Sequence, residues 1–275
     1  MSKRLFFPGD RHVEVLQGTD RAAGRGEVTI RIDAAGVCGS DLHYLYRVPE
    51  SERGKPRLGV TINPDAVPGH EPAGTVLSIG EGVDTLAPGD RVIVHHISGC
   101  GMCDWCLRDL PMHCADKKTY GFDIDGAFAS TMVAKARDVV KVPDDVSMPV
   151  AAYCACGAGT AYNALRKLQV TSADTVIIFG LGPVGLAAVA FAQDFGARVA
   201  AVDISGERRD LAKAAGADLV IDPRDTDVAT VVAEWNGSGA SVGLDASGNA
   251  QARHQLLDAV GVLVRVAFVG EGGGV

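Results

Sequence analysis

The sequence predicts an α/β protein of two domains: a compact, mostly β and barrel-like first half, then a doubly wound parallel sheet. Three observations carry this expectation. Short β-branched runs broken by glycine recur between Glu27 and Val142. From about Ala151 apolar strands alternate with helical stretches. The first of those strands runs directly into Gly180-Leu-Gly-Pro-Val-Gly185 and an apolar helix. A length of 275 residues suits one large or two ordinary domains, and 47% apolar residues can build both cores.

In the first half, residues 27–34 alternate in polarity as a half-buried strand does. Residues 74–79, 89–94, 128–133 and 139–142 read as further short strands. Residues 47–68 are polar and rich in Pro and Gly, which predicts a surface loop. The formal net charge of −8 argues against a nucleic-acid partner. The longest apolar stretch, 176–192, contains three glycines and a proline, so it reads as strand, turn and helix rather than a membrane span. The first residues lack the apolar core of a signal peptide. The expectation is a cytoplasmic protein with no membrane contact.

The second half opens with a strand over residues 175–180. Gly180, Gly182 and Gly185 have the dinucleotide-binding spacing and the required context, after a strand and opening a helix through Pro183 and Val184. Gly180 permits a tight turn, Gly182 lets a pyrophosphate approach the backbone, and Gly185 allows close helix–strand packing. Asp203 follows 18 residues after Gly185, at the end of the next strand. Its carboxylate suits ribose hydroxyls and repels a 2′-phosphate, favouring NAD over NADP; Arg208 and Arg209 nearby temper that preference. Helices at 206–214, 227–235 and 250–259 then alternate with strands at 219–221, 242–246 and 262–269. That makes five parallel strands with crossover helices.

Cys100, Cys103, Cys106 and Cys114 carry the most specific metal signal. Four thiolates close a tetrahedral shell around zinc and leave no position for substrate. Disulfides, a redox pair or an iron–sulfur cluster are the competing readings. Gly36-Val-Cys-Gly-Ser-Asp-Leu-His43 supplies a thiol at Cys38, a hydroxyl at Ser40, a carboxylate at Asp41 and an imidazole at His43. His70 and Glu71 sit in a rigid turn between Pro68-Gly69 and Pro72. With Cys38 available, a mixed Cys/His metal site with an open position is expected, Asp41 fixing the tautomer of His70. His12, His95, His96, His113 and His254 read as surface or packing groups.

Taken together, these motifs resemble the zinc-dependent medium-chain alcohol dehydrogenases along essentially the whole chain. The segment 36–43 is similar to the family's catalytic-zinc and proton-relay segment, residues 69–71 to its second-ligand motif, and the cysteine run to its structural-zinc lobe. Cys156-Gly-Ala-Gly-Thr160-Ala-Tyr162 is similar to the segment carrying the third ligand. The resemblance implies a GroES-like catalytic domain over residues 1–155 and a Rossmann NAD-binding domain over 156–275. It implies catalytic zinc on Cys38, His70 and Cys156 with Glu71 behind or beside it, Cys154 being the alternative third ligand. It also implies structural zinc on Cys100, Cys103, Cys106 and Cys114, and a relay through Ser40, the NAD ribose and His43. The expected reaction is reversible oxidation of an alcohol or polyol by NAD in the cleft between the domains, in a homodimer or homotetramer. The wording of segment 36–43 is closest to sorbitol- and idonate-type enzymes, although polyol enzymes often place Glu where this chain has Cys156. Family members continue several dozen residues further, so the resemblance implies a C-terminally shortened chain, a sheet lacking its last strand and an exposed edge prone to aggregation. Two rivals stand beside this reading. One is a catalytically inactive or fragmentary zinc- and nucleotide-binding protein. The other is a reductase using NADPH on activated carbonyls or alkenes, against which the intact ligand set and Asp203 argue.

Overall fold

The structure is a computed structural model describing residues 2–18, 20–56 and 60–272. It divides into two compact units, 1–156 and 157–275. Among the described residues, no helix is long and apolar enough to cross a membrane.

The first unit opens with a hairpin, β1 (Lys3–Gly9) and β2 (His12–Gln17), which the sequence reading did not anticipate. Its turn places Gly9, Asp10 and Arg11 at positive φ. The remaining strands are β3 (Glu27–Gly36), β4 (Glu71–Ile79), β5 (Arg91–Val94), β6 (Ile97–Ser98), β7 (Lys118–Thr119), β8 (Thr131–Lys135) and β9 (Val139–Lys141). Five of them form an antiparallel sheet in the order β8-β3-β4-β5-β9. Only the short 3-10 turn Ala136–Asp138 separates the two outer strands, so the sheet curls on itself around one core. That core takes alternate residues of each strand, such as Val28 and Ile30 from β3 and Val92 and Val94 from β5. The strands β6 and β7 pair separately at the base of the cysteine lobe.

The segment expected as a surface loop, 47–68, is less exposed than its composition suggests. Val48, Ile62 and Val67 are buried and a 3-10 turn spans Glu50–Glu52. Residues 57–59 of that segment lie outside the described residues, as do 273–275 at the chain end.

The second unit holds β10 (Thr175–Phe179), β11 (Arg198–Val202), β12 (Leu219–Ile221), β13 (Ala240–Asp245) and β14 (Val260–Phe268). All pairings are parallel and the order is β12-β11-β10-β13-β14. Every residue of β10 is buried, as a central strand covered on both faces requires. The order reverses between β10 and β13, the point in such sheets where ligands bind beyond the strand ends. The run 262–269, read from sequence as a strand, overlaps β14, in which Val262 is 92% exposed and Leu263 99% exposed, with Leu263 at positive φ. Between the pairs Ala240–Val260 and Val242–Arg265 lie one residue of β13 and four of β14. The surplus bulges out of the ladder and carries those two side chains into solvent.

Arg265 turns toward Asp174 and also donates to the carbonyls of Leu168 and Gln169. Asp174 accepts from the Thr171 amide at 2.9 Å, the Thr171 hydroxyl at 3.1 Å and the Ser241 hydroxyl at 2.9 Å. Burial opposes its charge, but these bonds and the Arg265 guanidinium outweigh it and hold the carboxyl below its ordinary value. A depressed folded pKa means the stabilisation is present above the unfolded value, about 3.9, and is lost as pH falls through the lower folded value. Asp174→Ala is expected to destabilise the second unit by about 2 kcal/mol at neutral pH. Denaturant melts at descending pH check this: the gap from the unmodified protein closes in acid. A constant gap would mean the carboxylate charge is not involved.

Candidate metal and nucleotide sites

Two groups of side chains in the first unit have metal-ligand geometry. The ligand atoms of Cys38, His70, Glu71 and Cys156 lie within 4.8 Å of one another, and so do those of Cys100, Cys103, Cys106 and Cys114. None of the seven cysteines is joined in a disulfide.

The first group is assembled from three places in the chain. Cys38 leads into the short helix Gly39–Asp41, and its amide donates to Asp41 Oδ2 at 2.9 Å. His70 and Glu71 sit at the start of β4, behind Gly69, whose φ of +94° lets the chain turn where a Cβ would meet the Phe128 ring at 2.5 Å. A side chain at Gly36 would overlap the Glu71 carboxylate, so glycine there is what lets Glu71 reach the group. Cys156 comes from the turn after the helix Met148–Cys154, and Cys154, at the end of that helix, is exposed and outside the group.

Asp41 is fully buried and stands 3.1 Å from His70 Nδ1. A carboxylate accepts, so Nδ1–H donates and Nε2 is directed away from Asp41, where Ser40 Oγ stands 3.5 Å from it. A hydrogen bond from Cys156 pulls the Cys38 thiol down to about 3, helped by His70 and opposed by burial. Burial disfavours a charged His70, but Asp41 and the Cys38 thiolate outweigh it and lift the imidazole to about 10. Glu71 is pushed up to about 7 by burial and then by the Cys38 charge. The group thus concentrates negative charge and holds protons against it, and a cation that binds there releases them. His43 is exposed, within the π-helical turn Leu42–Tyr46.

Two aromatic rings stand against His70: Phe122 with centroids 5.2 Å apart, and His96 edge-on at 5.4 Å. Tyr44 meets Phe122 edge-on at 6.2 Å. His96, read from sequence as a packing group, therefore belongs to this site. The imidazole contributes Nδ1 to the Ala155 carbonyl at 3.4 Å. Desolvation and the imidazoles of His70 and His95 pull His96 down to about 4, which keeps it neutral. The sequence signal was the His95-His96 pair four residues before Cys100, but nothing local ties it to His70.

In the cysteine lobe, Cys100 Sγ accepts from the amides of Met102 and Cys103, at 3.5 and 3.3 Å, and these bonds lower its pKa to about 7. The Cys100 and Cys106 sulfurs are 4.0 Å apart. That is too far for a disulfide and close to the separation of about 3.8 Å between thiolates sharing a tetrahedral zinc.

At the sheet's reversal point, Gly180 has a φ of +83°, and a Cβ there would meet the Ser247 amide nitrogen at 2.6 Å. A Cβ at Gly185 would overlap the Gly180 carbonyl, so that glycine sets the helix against the turn. Gly182 faces open space, with no atom within 4 Å of its would-be Cβ, and caps the helix Pro183–Asp194. A bare backbone at a helix N-terminus is where a phosphate fits. Pro183 at the first helical position has no N–H to lose, and Val184 follows it. Asp203 Oδ2 accepts from the Leu181 amide at 2.7 Å and Oδ1 from the Ser205 amide at 2.8 Å. Arg208 Nη1 lies 3.7 Å from Asp203 Oδ2. The carboxylate therefore clamps the glycine turn to the end of β11, a role sequence reasoning missed. It also missed Asp245, fully buried, which pairs with Arg253 at 3.0 Å and accepts from the Ser247 amide at 2.9 Å. That bond holds the Ser247 turn against Gly180.

Comparison with known proteins decides the family. Residues 24–144 match the family model for the alcohol dehydrogenase GroES-like domain, and 183–274 the one for zinc-binding dehydrogenases. The chain is 36% identical over 275 residues to an uncharacterised zinc-type alcohol dehydrogenase-like protein of Escherichia coli K12, covering 98% of this chain and 76% of that protein. This chain belongs to the zinc-dependent medium-chain alcohol dehydrogenase family. It is also 32% identical over 264 residues to 2-dehydro-3-deoxy-L-galactonate 5-dehydrogenase of Pseudoalteromonas atlantica, covering 96% of this chain and 74% of that one. Among solved structures, alcohol dehydrogenase from Thermus sp. ATN1 superposes with a TM-score of 0.88 at 29% identity, covering 99% of this chain and 78% of that one. The chain thus spans about three quarters of the length of these relatives.

The residues present fit the family's cofactors. Soft thiolates with imidazole suit zinc, and the open backbone at Gly182 suits the pyrophosphate of NAD(P).

Proposed function

We propose that this chain oxidises a small alcohol or polyol reversibly to an aldehyde or ketone with NAD as hydride acceptor. The observation that carries the reading is the convergence of Cys38, His70, Glu71 and Cys156, from three separate segments, on one spot with Asp41 orienting His70. We assign catalytic zinc to Cys38, His70 and Cys156 with Glu71 beside it, and structural zinc to Cys100, Cys103, Cys106 and Cys114. Bound zinc supplies a Lewis acid that makes an alcohol hydroxyl acidic. Ser40 accepts the hydroxyl proton at Oγ and passes its own on toward His43, which is exposed to solvent. Asp41 keeps Nε2 of His70 free to ligate. Gly180, Gly182, Pro183, Val184 and Gly185 form the phosphate turn, and Asp203 with Arg208 lines the ribose side. Cysteines gathered in two groups of metal-ligand geometry suit a reducing compartment such as the cytoplasm, and the family reading includes a homo-oligomer. The test is metal analysis with a dehydrogenase assay over a panel of alcohols and polyols. Two zinc ions per chain and NAD-dependent turnover are expected; one zinc, or an iron–sulfur absorbance, would sink the reading.

Cofactor choice gives a second test. A 2′-phosphate would meet the Asp203 carboxylate, a like-charge contact that also strips water from both groups. NAD is expected to be preferred over NADP by at least about tenfold, a difference of 1.4 kcal/mol. Asp203→Ser should narrow that preference with Arg208 still in place. It should weaken NAD binding as well, because the Leu181 amide loses its acceptor. Titrating both cofactors by fluorescence decides it; equal affinities in the unmodified chain would contradict the argument.

A further inference from the structure

We propose that Asp222 is a second determinant of cofactor choice: its carboxylate occupies the phosphate-binding edges of Arg209 and Arg224, and so withholds from a 2′-phosphate two guanidinium groups placed to receive it. The proposal rests on the dinucleotide reading above and names a specificity residue outside the glycine turn and its acid.

Three arginines surround the end of β11, the place from which Asp203 is assigned to the ribose. Arg208 Nη1 stands 3.7 Å from Asp203 Oδ2. Arg209 Nη1 donates to the Asp203 carbonyl at 2.7 Å, and Arg224 Nη2 to the Ile204 carbonyl at 2.7 Å. An arginine fork is the side chain best matched to a phosphate. A strand end ringed by three of them has the donors that a 2′-phosphate needs, and Asp203 engages the guanidinium of Arg208 alone among them. Exposed ion pairs contribute little to stability, so folding does not account for the cluster.

Asp222 takes up the other two. It follows Ile221, the last residue of the neighbouring strand β12, whose carbonyl accepts from the Asp203 amide at 3.3 Å and keeps the two strand ends side by side. Asp222 Oδ2 is 2.8 Å from Arg209 Nη1 and 2.6 Å from Arg224 Nη2. Its Oδ1 accepts from Arg224 Nε at 2.9 Å and from the Arg224 amide at 3.1 Å. The contact with Arg224 is therefore bidentate, and it uses the two donors that would otherwise grip a phosphate. Above all the hydrogen bonding of Arg224 holds the Asp222 carboxyl far below the ordinary carboxylate range, so the carboxylate stays charged at neutral pH. The Arg224 side chain is 62% exposed, free to turn once these bonds are gone. Without the Asp222 charge, a 2′-phosphate gains charge-assisted hydrogen bonds at this edge and a 2′-hydroxyl gains none. Specificity then comes from what the site denies the wrong cofactor as well as from what it offers the right one.

The experiment uses the full chain and the adenosine end of the cofactor, so neither metal nor turnover enters. Adenosine 2′,5′-bisphosphate and 5′-AMP are titrated by calorimetry, and the quantity read is the ratio of their dissociation constants, bisphosphate over AMP. In Asp222→Asn the ratio is expected to fall about tenfold, the worth of one hydrogen bond to a charged group. Asparagine keeps the shape of the side chain and an oxygen for the Arg224 amide. Adding Arg224→Met to that variant should return most of the lost discrimination. An unchanged ratio in Asp222→Asn, with AMP still bound, overturns this proposal and leaves the nucleotide reading standing. So does a fall that survives both Arg224→Met and Arg209→Met in the Asp222→Asn chain, which would mean that the loss of a negative charge acts without either arginine. A ratio near one in the unmodified chain overturns it too, because nothing is then withheld. If 5′-AMP does not bind the unmodified chain, the nucleotide reading itself fails and takes this proposal with it.

Discussion

Cys38→Ser is expected to lower kcat/KM by at least about a thousandfold, roughly 4 kcal/mol of transition-state stabilisation, with little change in folding. The reasoning starts from ionisation. The Cys38 thiol is held low by its hydrogen bond from Cys156 and by His70, so at neutral pH it offers a thiolate. A serine hydroxyl in the same place stays protonated and is a poor ligand for a soft cation. The remaining protein need not move. Cys38 leads into a three-residue helix, is only half buried and belongs to neither of the large apolar cores. The Cys38 amide bond to Asp41 is a backbone contact that the substitution preserves. Activity against metal content and a thermal melt check this together. Full activity in Cys38→Ser would remove Cys38 from the catalytic assignment; a collapsed melt would make it structural.

What could be read from the sequence was whatever is encoded locally. The turn at Gly180, Gly182 and Gly185 lies between a strand and the helix it opens, and the cysteine run closes within fifteen residues. Strand periods were legible for the same reason, because alternation is a property of neighbours. What stayed hidden depends on register or on distant approach. His96 meets His70 only because the chain beyond β5 folds back beside the start of β4. The bulge in β14 leaves no mark in an apolar run that reads the same paired or looped out. The first hairpin turns through Asp10 and Arg11 at positive φ, without the Asn-Gly wording that announces such turns. Asp203 reads from sequence as a candidate ribose contact, but its bond to the Leu181 amide needed the position of the turn above it.

Cys103→Ala should show the reverse pattern to Cys38→Ser: a large loss of stability confined to the lobe, with the other metal still bound. Between Gly99 and Lys117 the only buried side chain is that of Cys114, while Met102, Trp105 and Leu107 are exposed. The lobe's secondary structure is one short helix, Asp104–Leu107, and a 3-10 turn, Pro111–His113. Trp105 against His113 at 5.0 Å and Arg108 over Trp105 at 5.5 Å are surface contacts. Arg137 reaches the Gly99 carbonyl and ties down only the lobe's entrance. Such a segment has no apolar core with which to offset its conformational entropy. Four thiolates around one cation are then what orders it, and structural zinc binding in small domains is worth about 10–16 kcal/mol. Removing one ligand leaves three thiolates and an open shell, so metal at this site should be lost to a mild chelator that spares the other. The expected result is one zinc per chain instead of two, with rapid proteolysis between residues 99 and 117 and protection elsewhere. A Cys103→Ala chain that kept both metals and resisted protease would mean the lobe is ordered by contacts other than its sulfurs.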